Sequence, residues 1–152
     1  GQPDYHYLES EVDKATAAGK IALLRINTQA QKPPWVTQAI VDAGGTFLTF
    51  TNDDGTMTTI PVFWDPTYLQ KKKNMITRLG AHFADYPTAQ NRTVRIVSAS
   101  FANSKSEDWN VPHDASDVTN WNKAGYTTAK LVDAGQQIPQ SHQLYEVALA
   151  RA

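Results

Sequence analysis

The chain has 152 residues, 41% hydrophobic and 19% charged, a balance that suits one domain with a buried core and excludes a disordered chain. Its 14 Lys and Arg against 15 Asp and Glu leave no basic stripe for nucleic acid, and no apolar run approaches the roughly 20 residues that span a bilayer. The absence of cysteine excludes disulfides, thiolate zinc sites and cysteine nucleophiles.

Asp4 to Ala18 carries Leu8, Val12 and Ala15 at i, i+4, i+7, the stripe of an amphipathic helix, and Gly19 follows where a C-cap would fall. Ile21 to Ile26 is a nearly continuous apolar run of strand length, as in a strand covered on both faces. Lys32-Pro33-Pro34-Trp35 breaks regular structure, and a short apolar segment (Val36, Ala39, Ile40, Val41) runs to Gly44-Gly45. Thr46 to Thr51 and Thr56 to Phe63 read as two strands joined at Asn52-Asp53-Asp54-Gly55, a hairpin predicted to stand as an excursion above the sheet.

Asp65-Pro66 is a helix start, with a carboxylate at the N-cap and proline in the first turn. Leu69, Ile76, Leu79 and Phe83 form its buried stripe and Tyr86-Pro87 ends it, while Lys71-Lys72-Lys73 is read as a solvated helix face. Val94 to Phe101 is the next strand, Ala102 to Asp117 a polar loop, and Thr127 caps a helix that stops near Gly135 or Pro139. The tail from Leu144 to Leu149 suits either a strand or a helix. Alternating helices and buried strands predict a single α/β domain over residues 1–152 with a parallel sheet, its functional loops at the carboxyl ends of the strands.

Several stretches resemble the catalytic barrels of clan A glycoside hydrolases, β-galactosidase-like members in particular. They are Asp4-Tyr5-His6-Tyr7-Leu8, Ala18 to Leu23, Pro34-Trp35, Phe63 to Leu69 and Gly80 to Pro87, which together span most of residues 4 to 137. The resemblance implies a partial TIM-barrel-like parallel sheet, a half barrel from about the third to the fourth or fifth strand, with flanking helices and the hairpin excursion.

It also implies a general acid/base after the fourth strand, usually an Asn-Glu pair. Here Asn103 is followed by Ser104, and Glu107 is the nearest glutamate. The family's nucleophile sits on a seventh strand, for which this chain has no room. Glycoside hydrolysis needs two carboxyl groups flanking the scissile bond, and the four glutamates are Glu9, Glu11, Glu107 and Glu146. Glu9 and Glu11 are expected on the solvent face of the first helix, leaving Glu107 as the catalytic candidate.

Trp35 and Trp109 are read as sugar-stacking platforms or as packing, Trp64 as structural, and Trp121 as packing its loop or helix. Arg25, a charge within an apolar strand, either holds a catalytic carboxylate or forms a structural ion pair. His113 lies in the loop of interest. His6, His82, His113 and His142 lack metal-ligand spacing, and no glycine-rich phosphate loop follows either strand, so neither metal nor cofactor is expected.

Two functions follow from these readings. One is a glycoside-hydrolase-like chain lacking a complete carboxylate pair. The other is a non-catalytic module that self-associates or binds a carbohydrate or protein. The expected partners are carbohydrate and a second copy, without nucleic acid or membrane.

Overall fold

A computed structural model of the chain describes residues 4–26, 32–88, 94–99 and 111–137. In chain order the elements are α1 (His6–Ala17), β1 (Ala22–Ile26), α2 (Pro34–Asp42), β2 (Phe47–Thr51), β3 (Met57–Pro61), α3 (Pro66–Asp85), β4 (Val94–Ala99), α4 (Ala115–Lys123) and α5 (Thr128–Gln136).

The expected half barrel is not there. Among the described residues the strands form two separate two-stranded sheets: β1 and β4 pair in parallel, and β2 and β3 pair antiparallel. The reason lies in the hairpin. Its turn brings β3 straight back onto β2, with Gly55 at φ +77 and Asn52 N–H donating to the Thr56 carbonyl at 2.8 Å. The Asn52 side chain closes the turn by donating to that same carbonyl at 2.8 Å.

Far from standing above a sheet, this hairpin is the centre of the larger core. Period-2 alternation puts Leu48, Phe50, Ile60 and Val62 on one face. Phe50 and Ile60 are fully buried there against Val36 and Ile40 of α2, Tyr68, Leu69 and Ile76 of α3, Trp121 of α4 and Ala134 of α5. The helices that a barrel would array outside its sheet are used to cover the hairpin.

The free edge of β2 is closed by α4, a helix beginning inside the stretch predicted as loop to Asp117. Asp114 caps it, accepting from Ser116 N–H at 2.9 Å, and these bonds hold its carboxyl below the usual carboxylate range. Asp117 and Trp121, one helical turn apart, share a face. The buried Asp117 carboxylate accepts from Thr51 N–H at 2.5 Å, and Trp121 Nε1 donates to the Thr49 carbonyl at 2.8 Å. The register leaves those two backbone groups facing away from β3, so two side chains supply what a third strand would have supplied.

A smaller core joins the other sheet. Val12 of α1, Leu24 of β1, Val94 of β4, and Leu79 and Phe83 of α3 are buried together. The twenty-residue α3 therefore serves both cores, its first half on the hairpin and its second half on the parallel pair. It starts where the sequence places it: the Asp65 carboxylate accepts from Tyr68 N–H at 2.7 Å. The same carboxylate leaves no room at Gly45, where an added Cβ would lie 2.5 Å from Asp65 Oδ2 and 2.9 Å from the Ile40 carbonyl. The α1 terminus also follows expectation, with Gly19 at φ +63 and Lys20 N–H returning to the Ala15 carbonyl at 2.8 Å.

Candidate functional site

Of the residues nominated from sequence, the described chain includes Arg25, Trp35 and His113. Glu107, Asn103 and Trp109 lie outside the described residues. Arg25 falls in β1, its backbone opposite Ser98 of β4. Trp35 stands in the first turn of α2, 61% exposed, with the Lys71 ammonium 5.6 Å from its ring centroid. His113 precedes α4 and pairs through Nε2 with Asp53 of the hairpin turn at 3.5 Å, both side chains exposed. Trp35 thus meets α3, and His113 meets the hairpin turn.

The other tryptophans are structural. Trp121 is wholly buried, 4.5 Å from Phe63 between ring centroids, and Trp64 lies edge-on to it at 6.1 Å.

Three features were not anticipated. The first is Lys72, one of the three lysines read as a solvated face. It is 2% exposed, because position 72 falls in the α3 stripe between Leu69 and Ile76. Its Nζ lies 3.5 Å from the Tyr68 hydroxyl and 5.7 Å from that ring's centroid. Burial disfavours the ammonium and pulls the Lys72 pKa from 10.5 to about 7. Lys71 and Lys73 remain on the flanks, the latter donating to Gln137 at 2.7 Å.

The second is Glu9, which does not sit on a free solvent face. Its carboxylate lies between two imidazoles, 3.0 Å from His6 Nδ1 and 3.0 Å from His82 Nε2. The Glu9 carboxylate, accepting from His6 Nδ1 and helped by the Asp4 carboxylate, raises the His6 pKa. His82 Nε2 is within ion-pair distance of Glu9 but has no hydrogen-bond partner among the described residues. Tyr5 stacks on the His82 ring at 4.1 Å and Tyr86 at 5.9 Å, while the Tyr86 hydroxyl donates to Asp13 at 2.9 Å. The group fastens α1 to the end of α3. Among the described residues, no group of three or more His, Asp or Glu is arranged to hold a metal ion.

The third is the outer side of the parallel pair. Leu24 points into the small core, whereas Leu23 is 49% exposed and Ile21, just before the strand, 64% exposed. Alternation puts these two on the face away from α1 and α3. Among the described residues, no helix is long and apolar enough to cross a membrane.

Comparison of the chain with protein-family models, curated proteins and solved structures finds no match.

Proposed function

We propose that this chain is a self-associating module in which a second copy covers the outer face of the β1–β4 pair. The observation that carries the reading is the exposure of Ile21 and Leu23 beside a parallel ladder. Parallel strands occur almost always in sheets covered on both faces, and a sheet of two strands is marginal alone. A twofold pairing places the same patch against itself, so both copies bury it at once and the assembly closes.

The mass in solution tests the reading. Sedimentation equilibrium is expected to give a dimer for the native chain, and Leu23→Asp is expected to weaken it at least tenfold with the same far-UV spectrum. A monomeric native chain, or a variant that dimerises equally well, contradicts it.

Carbohydrate contact at Trp35 is a second reading, favoured by that ring's exposure at a helix start. A flat aromatic face packs against the apolar face of a pyranose ring. Titration with galactosides followed by ¹H-¹⁵N spectra is expected to shift the Trp35 indole signal, with Trp35→Ala abolishing the response. Shifts that persist in the variant would remove Trp35 from the site.

A further inference from the structure

We propose that α1 docks through a pH-sensitive clasp: Glu9 held between cationic His6 and His82 latches the helix to α3, and loss of the imidazole protons releases it and bares the inner face of the β1–β4 pair. The reading goes beyond self-association through the outer face of that pair and does not depend on it.

The helix is loosely held by its apolar side. Of its twelve residues, Val12 is the buried one, set against Leu24, Leu79, Phe83 and Val94. An element with so little buried area opens locally at small cost, so a polar contact can bias its docking. That contact is the Glu9 carboxylate, whose two oxygens are divided between the imidazoles: Oε2 lies 3.0 Å from His6 Nδ1 and Oε1 lies 3.0 Å from His82 Nε2. His6 belongs to α1 itself, whereas His82 reaches across from the last turn of α3. His82 and Glu9 are only 26% and 22% exposed, so their attraction is less screened by water than that of a surface pair. The His82 nitrogen, close to the carboxylate without a hydrogen bond to it, interacts chiefly through charge. An imidazolium is therefore held firmly, and a neutral ring hardly at all.

The surrounding groups leave the imidazoles as the ones that change state near neutral pH. Asp4 adds a second negative charge beside His6. Tyr5 and Tyr86 stack on His82, and both phenols are pushed above their usual 10, Tyr5 by burial against the opposing charge of Arg78, Tyr86 by burial and by its bond to Asp13. The tie from Tyr86 to Asp13 thus persists while the histidine tie varies. From the strands, Leu24 and Val94 present apolar groups to α1. Since the His6 pKa is raised above 6.5 in the docked state, its contribution is complete below 6.5 and is lost as pH rises through the higher value. The clasp is closed in mild acid and loosens above neutrality.

Hydrogen exchange on the full chain, read by NMR with intrinsic rates divided out, tests the clasp. Protection of the α1 amides relative to the β2–β3 amides is expected to fall about fivefold from about pH 5.5 to about pH 8. Taking the ratio removes changes in global stability, including the rise that Lys72 causes above about pH 7. Glu9→Gln, which keeps the shape and loses the charge, is expected to flatten the ratio. His6→Gln, at an exposed position where folding is not at risk, is expected to reduce the slope and leave the share due to His82. A native ratio that stays level or rises over this range would overturn the proposal, as would a slope that Glu9→Gln leaves intact.

Discussion

Replacing Lys72 with methionine is expected to stabilise the fold by roughly 2–4 kcal/mol near pH 6 and to flatten the pH dependence above it. The sign follows from where the proton resides. The Lys72 pKa is about 7 in the fold against 10.5 for an ordinary lysine, so between those values the unfolded chain binds a proton that the folded chain releases. Stability of the native chain therefore rises as pH climbs from about 7 to about 10.5. Below that window both states are protonated and the full penalty of a buried ammonium persists. The difference between the two values sets a ceiling of about 5 kcal/mol, which relaxation around the charge reduces. Methionine fills the same stripe position without a charge. Urea denaturation at several pH values checks this, and parallel stability curves for native and variant chains would contradict it.

The second large effect is expected at Trp121. Its ring is wholly buried against Phe63, and its indole N–H holds the Thr49 carbonyl on the open edge of β2. Trp121→Ala removes the largest side chain of the major core and is expected to cost about 3–5 kcal/mol. Trp121→Phe retains most of the packing and loses the hydrogen bond, for about 1–2 kcal/mol. The two urea midpoints separate the contributions. An alanine variant within about 1 kcal/mol of the native chain would mean that α4 is not what secures the hairpin.

These two residues also mark where the sequence was legible and where it was not. Local signals were enough for α1 with Gly19, for the Asn52–Gly55 turn and for the Asp65-Pro66 start of α3, because each is decided by a few neighbouring residues. The fate of the hairpin was not legible. Alternation in β2 and β3 says that one face is buried, but not that α2, α3, α4 and α5 would converge on it instead of arraying around a parallel sheet.

The helix α4 was hidden because its segment has few apolar residues. It docks through Asp117 and Trp121, whose bonds to the β2 backbone leave no hydropathy signature. Its trace in the sequence was the Asp-x-x-x-Trp spacing behind an Asp-x-Ser cap. Lys72, by contrast, was legible and was misread: the stripe 69, 72, 76, 79, 83 runs straight through it. A lysine cluster suggests solvent, yet only its two outer members can reach solvent from that face. Glu9 was misread for a related reason, since its partner His82 comes from a helix more than 70 residues away in sequence.

The central claim is that another copy of the chain lies over Leu23. An isotope-filtered NOE experiment on a mixture of labelled and unlabelled chains tests it most directly. Contacts between the Leu23 methyl groups of a labelled chain and protons of an unlabelled one are expected, and Leu23→Asp should abolish intermolecular contacts elsewhere on that face. Leu23 methyl groups that touch only their own chain would contradict the claim.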